Sequence, residues 1–214
     1  MDTKTGEPVR SGGLIPAIAV NRESGALFVV WEDARFSGGL REGIAFSKST
    51  DGGLNWTTPV QINKVPEVQA FTPSIAVGDD GRISVTYYDF RKDNSDVNVL
   101  LTNYWRITSP NGGRTWKEVP VAKPFDLRTA PVASPGFTGG FFIGDYEGIV
   151  PTEKSFTPIY VLTNSGNTSN LTDVFVTSQE EAGDTFWNGH EERNDNPRSP
   201  KDLAKAHREK HRPD

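Results

Sequence analysis

An all-β fold laid down in repeats is what this sequence predicts, and three observations predict it. Two long segments run in parallel, PAIAVNRESGALFVVWEDARF from Pro16 and PSIAVGDDGRISVTYYDFR from Pro73. Each leads into a similar turn motif, STDGGLNW at residues 49–56 and SPNGGRTW at residues 109–116. Both landmarks therefore recur at a period of roughly 60 residues, the mark of a repeat architecture such as a propeller. Turn formers punctuate the strands: Gly 21 and Pro 15 in 214 residues exceed ordinary usage, and helical periodicity is nearly absent before residue 188.

In chain order, residues 1–13 are a polar N-terminal segment. Residues 14–69 form the first unit, where the continuously apolar run from Ala26 to Trp31 reads as a strand covered on both faces. In the second unit, residues 70–128, Ile83, Val85 and Tyr87 alternate with Ser84, Thr86 and Tyr88, the period of a pleated ribbon. The third unit, residues 129–187, has TPIYVLTN and TDVFVTS as strands, with EEAGDTFW at residues 180–187 where the turn motif belongs. Residues 188–214 are crowded with charge, hold all 3 His and read as a solvated tail. His207 and His211 have a metal-compatible spacing on a helix, yet no third ligand stands near them.

Composition narrows the chemistry. With Cys 0 there is no disulfide framework, thiolate metal cage or cysteine nucleophile. A net charge of −5 argues against nucleic acid as a partner. No stretch approaches the ~20 apolar residues of a membrane span, and no apolar signal segment follows Met1. Asn-x-Ser/Thr triplets at Asn55, Asn167 and Asn170 matter only in a secreted eukaryotic protein.

Every position of the turn motif has a physical use. Asp51, or Asn111 in the second copy, accepts backbone N–H groups of a tight turn, and the hydroxyls of Ser49 and Ser109 bond back across it. Gly53 and Gly113 supply positive φ, while Trp56 and Trp116 pin the hairpin to its sheet. With PxIAV…VWEDAR, FTPSIAV…VTYYDFR and FFIGDYEG around it, this S-x-D-x-G-x-x-W form resembles the Asp-box, or BNR repeat, of sialidase-like β-propellers, in particular bacterial exo-α-sialidases. The resemblance spans residues 14–187. One box is complete, the second has Asn for Asp, and the third has decayed. It implies a partial β-propeller of about three four-stranded blades. Full sialidases have six, so the chain resembles a C-terminal half, and self-association to complete the ring is expected. An extracellular or cell-surface location and a glycan or glycoconjugate partner are expected on the same ground.

The resemblance also implies a retaining glycosidase that binds an acidic sugar through three Arg, uses a Glu-activated Tyr as nucleophile and an Asp as acid/base. Arg35 in WEDAR and Arg91 in YYDFR hold equivalent places and form two thirds of such a clamp. Asp33 and Asp89, two residues earlier, offer each an in-blade salt bridge instead. No Arg stands near Ile15 and Pro16, Arg10 being the closest upstream. In GDYEG, Asp145, Tyr146 and Glu147 are the densest reactive group. An extended backbone puts Asp145 and Glu147 on one face, suited to acid/base work or to a hard cation such as Ca²⁺, and turns Tyr146 away from Glu147. Either role competes with a capped strand start between two glycines. Tyr88, Tyr104 and Trp105 offer a stacking platform for a sugar ring, or core packing. The alternative to an enzyme is a non-catalytic propeller that binds glycan or protein through its loop face.

Overall fold

The structure, a computed structural model, describes residues 1–13, 15–133, 139–153, 155–164 and 166–177. The first repeat becomes a four-stranded antiparallel sheet of β1 (Ala17–Val20), β2 (Leu27–Asp33), β3 (Gly43–Ser49) and β4 (Val60–Gln61), each strand beside the next. The second repeat does the same with β5 (Ala70–Val77), β6 (Ile83–Asp89), β7 (Leu101–Ser109) and β8 (Lys117–Pro120). β9 (Phe125–Asp126) extends that sheet by pairing with β7. A small ribbon of β10 (Val132–Ala133) and β11 (Gly140–Phe141) follows. The third sheet is β12 (Gly148–Pro151), β13 (Phe156–Thr163) and β14 (Thr172–Val176), three strands among the described residues. The decayed motif at residues 180–187 and the tail with His207 and His211 lie outside the described residues.

These sheets are the blades of a partial β-propeller, with β1, β5 and β12 packed side by side as inner strands. Between the first two blades, Phe28, Val30 and Phe46 bury against Val85, Tyr87 and Ile107. Between the second and third, Tyr88, Tyr104 and Tyr160 stack in series, with ring centroids 4.5 and 4.6 Å apart. Aromatic rings suit this position because each buries a large area against a twisted sheet face.

Two strands exchange the environments their sequences predict. All seven residues of β6 are buried, polar Ser84 and Thr86 included, because blades cover both faces of the middle sheet. β2, the continuously apolar strand, alternates instead: Phe28, Val30 and Glu32 face the second blade, while Leu27, Val29 and Trp31 stay half-exposed. Nothing among the described residues stacks on that outer face, where Ile18 is 61% and Trp56 41% exposed.

The N-terminal segment is a strap. Lys4 pairs with Asp93 at 2.8 Å, the fully buried Asp2 pairs with Arg128 at 2.6 Å, and Val9 bridges to Phe141. Polar residues of this segment, Asp2 and Lys4, are among the groups that fasten it.

Candidate functional site

Antiparallel pairing sends the start of each inner strand and the end of its neighbour to the same place: Ala17 lies opposite Val30, and Ala70 opposite Asp89. Loops leaving β2 and β6 therefore emerge beside the segments that enter β1, β5 and β12. The turn motifs follow β3 and β7 and lie at the other end. At the first end, a cavity of about 250 Å³ opens among Gly12, Pro16, Thr72, Asp145, Tyr146 and Glu147.

Asp145 reaches this cavity in an ion pair with Arg10, 3.1 Å away, whose guanidinium lies 4.6 Å over the Phe142 ring. Gly12 is required there, since a Cβ would stand 2.7 Å from the Asp145 carbonyl oxygen. Tyr146 is 73% exposed at the mouth. Glu147 turns inward, and the tyrosine it meets is Tyr88, not its neighbour Tyr146. Glu147 Oε1 and the Val161 carbonyl lie 2.8 and 2.9 Å from the Tyr88 hydroxyl, which also accepts the Val161 N–H.

One phenolic proton cannot serve two acceptors. While Glu147 is ionised the Tyr88 hydroxyl donates to it; once Glu147 is protonated, its O–H donates to Tyr88, and Tyr88 donates to the Val161 carbonyl, so that the network closes. Burial agrees, pushing the Glu147 carboxyl up to about 8 despite the bonds it receives, and raising Tyr88 well above the ordinary phenol.

A second buried carboxyl meets Thr72, one of the cavity's lining residues. Glu32, at the end of β2, accepts the Ser11 hydroxyl at 2.7 Å and the Thr72 N–H at 2.8 Å. Thr72 can offer that N–H because β5 breaks register between Phe71 and Ser74, with Thr72 at φ 50, a left-handed conformation costly for a β-branched residue. The buried Thr72 hydroxyl has no hydrogen-bond partner among the described residues. Burial raises the Glu32 carboxyl above its usual range, and nearby Glu42, held by Gln69 at 2.5 Å, adds to the rise.

Several residues singled out in the sequence take other places. Tyr88 and Tyr104 are fully buried and Trp105 is 9% exposed, so they form no sugar platform; cover on both faces of the middle blade consumes them. Arg91 is committed as well. It binds Asp89 at 2.6 Å and Glu118 at 2.5 Å, and lies 3.9 Å over the Trp105 ring, with a side chain only 10% exposed. Arg35 pairs with Asp33 at 2.6 Å but keeps a side chain 56% exposed at the cavity end. The two guanidiniums thus do not share a free clamp. Asp145 and Glu147 face separate partners, Arg10 and Tyr88, and among the described residues no group of three His, Cys, Asp or Glu is placed to hold a metal ion.

At the other end, the two turn motifs share one hydrogen-bond pattern. The Ser49 and Ser109 hydroxyls each accept a glycine N–H at 2.9 Å, from Gly53 and Gly113. Asp51 accepts Asn55 N–H, and Asn111 accepts Thr115 N–H, both at 2.9 Å. The Asn55 N–H and amide, then the Ser49 hydroxyl, hold the Asp51 carboxyl at about 2. Trp116 packs edge-on against Phe46 of the first blade at 5.2 Å, and Trp56 donates to the Gly53 carbonyl at 3.0 Å.

Thr72 at the cavity, and Ser11, Glu32 and Glu42 beside it, are what sequence reasoning missed. Glu32 carries a signal in hindsight: it sits on the inward side of an alternating strand, where an acid is expensive unless partnered.

No family model matches the chain, and no curated protein does. Among solved structures, a Hadza microbial sialidase is 15% identical at a TM-score of 0.48, with 76% of this chain matched to 30% of that one. A protein of unknown function from Dyadobacter fermentans is 16% identical at a TM-score of 0.49, over 75% of this chain and 49% of that one. A GH43 endo-arabinanase from Bacillus licheniformis is 12% identical at a TM-score of 0.36, over 74% and 69%. The chain thus spans about a third and about half of the first two proteins.

Proposed function

We propose that this chain is the carbohydrate-facing part of a sialidase-like glycoside hydrolase, with the sugar entering the cavity at the start of the inner strands. The observation that carries the reading is a pair of neighbouring carboxyls in opposed environments: Asp145 ion-paired with Arg10 at 3.1 Å, and Glu147 buried against the Tyr88 hydroxyl, where burial pushes its carboxyl up to about 8. Carboxyls so separated divide acid and base work between them in glycosidases. Glu147 swings its proton from Tyr88 to the departing glycosidic oxygen, Asp145 stabilises the positive charge that develops on the sugar ring, and a water attacks the anomeric carbon and returns a proton to the Glu147 carboxylate. Tyr146 lines the mouth, and Arg35 is the exposed guanidinium at that end that can read an acidic sugar. The Asp-box turns and the loop-end cleft opposite them support this assignment.

The test is hydrolysis of a fluorogenic sialoside by the full chain and by Glu147→Gln and Asp145→Asn. Loss of a general acid lowers turnover by ~10²- to 10⁴-fold, and both variants should fall at least into that range. Absence of turnover in the unmodified chain, or unchanged turnover in both variants, overturns the enzyme reading.

One observation favours the second reading, a non-catalytic glycan-binding propeller: Arg91 is locked to Asp89 and Glu118, so no three-arginine clamp assembles among the described residues. Glycan-array binding without hydrolysis, lost in Arg35→Ala, selects it.

A further inference from the structure

The larger cavity lies away from the carboxyls, at the turn-motif end, where about 430 Å³ opens between the first and second blades. Asn21, Ser24, Lys48, Thr50, Asn111 and Arg114 supply its polar lining, and no acidic residue takes part. In a chain with 28 Asp and Glu against 23 Lys and Arg, two cations meeting without an acid is a local inversion of charge. Of the acids adjacent in sequence, Asp51 is held in its own turn with Asn55, Asp80 is held on Arg82, and Glu23, between Asn21 and Ser24, is not among the lining residues.

Lys48 and Arg114 hold their places through carbonyls, which leaves their charge unneutralised. Lys48 Nζ donates to the Gly112 carbonyl at 3.0 Å across the blade junction, and Arg114 Nε donates to the Asn111 carbonyl at 3.1 Å. Neither forms a salt bridge among the described residues. Asn21 presents its amide nitrogen beside Gly81, while its Oδ1 accepts the N–H groups of Glu23 and Ser24. Ammonium, guanidinium, amide and hydroxyl donors converge on one cavity.

The sequence anomaly at this spot fits the same chemistry. The second turn motif carries Asn111 where the first carries Asp51, and Asn111 is a cavity residue. Its Oδ1 performs the turn-forming task of Asp51, accepting Thr115 N–H; its amide also donates to the Thr115 hydroxyl at 2.8 Å, a contact that an aspartate keeps by accepting the hydroxyl proton, so the hairpin does not need the neutral side chain. The pocket does: a carboxylate at position 111 would put a negative charge beside Lys48 and Arg114.

We propose that this inter-blade cavity binds a tetrahedral oxyanion, a sulfate or phosphate group, through Lys48 and Arg114. A guanidinium fork and an ammonium point charge match the geometry and charge of such a group. The source is a free anion or an ester on a saccharide.

Calorimetric titration of the full chain at constant ionic strength tests the site, with sodium sulfate, glucose 6-sulfate and glucose as probes. Saturable binding of both sulfates but not glucose is expected, and the tighter of the two identifies the source. Arg114→Gln should weaken binding tenfold or more. Asn111→Asp should do the same while its thermal midpoint without anion stays at the level of the unmodified chain, separating loss of the site from loss of the fold. Absence of saturable sulfate binding, or undiminished binding in both variants, overturns the proposal.

Discussion

Replacing Glu147 by Gln should flatten part of the pH dependence of stability. Burial lifts the Glu147 carboxyl from 4.5 to about 8 in the folded protein, whereas the unfolded chain titrates near the ordinary value. Between those two pH values the folded state holds a proton that the unfolded state has lost. The stability from the protonated Glu147–Tyr88–Val161 network is therefore complete below the lower value and drains away as pH rises through the upper one. Each pH unit across that window costs about 1.4 kcal/mol, so the loss from pH 5 to pH 8 is roughly 3 to 4 kcal/mol. That is a large share of the ~5 to 15 kcal/mol that stabilises a domain. Urea unfolding at pH 5, 6, 7 and 8 reads it directly. The amide introduced by Glu147→Gln keeps a donor to the Tyr88 oxygen but does not titrate, so the variant should match the unmodified chain at pH 5 and exceed it at pH 8. The slope that remains includes Glu32 and Asp89, whose carboxyls burial raises with the same sign, and the Met1 amino group, which burial lowers with the opposite sign. Parallel curves for the two proteins would refute a protonated Glu147.

The equivalent arginines should separate sharply. Arg91→Ala strips the fully buried Asp89 of its partner and should cost ~3 to 5 kcal/mol in chemical unfolding, whereas Arg35→Ala breaks an exposed pair worth ~0 to 1 kcal/mol. The two tryptophans should separate for a related reason. Trp116→Ala removes the ring seated on Phe46 and should cost roughly 2 to 3 kcal/mol by the same measurement, while Trp56→Ala, at the uncovered outer face, should cost under about 1 kcal/mol.

Repetition made the blades legible in the sequence. Two matched segments and two matched turns set the strands of the first two sheets, because alternation, Gly-rich corners and the Ser–Asp or Ser–Asn turn bonds are local properties of the chain. GDYEG stood out for the density of its reactive groups, and the structure brings Asp145, Tyr146 and Glu147 to one cavity. Their partners were not legible, since Arg10 lies 135 residues from Asp145 and Tyr88 lies 59 from Glu147.

Local order along the chain thus determined the elements, their sequence and their turn chemistry. Which face of each sheet is covered was decided only by stacking. Tyr88 and Tyr104, read as a platform, became core because a third blade lies on the second; Arg35 and Arg91, equal in the sequence, differ because Glu118 closes over one of them. Burial belongs to the neighbour a residue meets across the fold, and in a repeat protein two identical positions meet different neighbours wherever the stack changes.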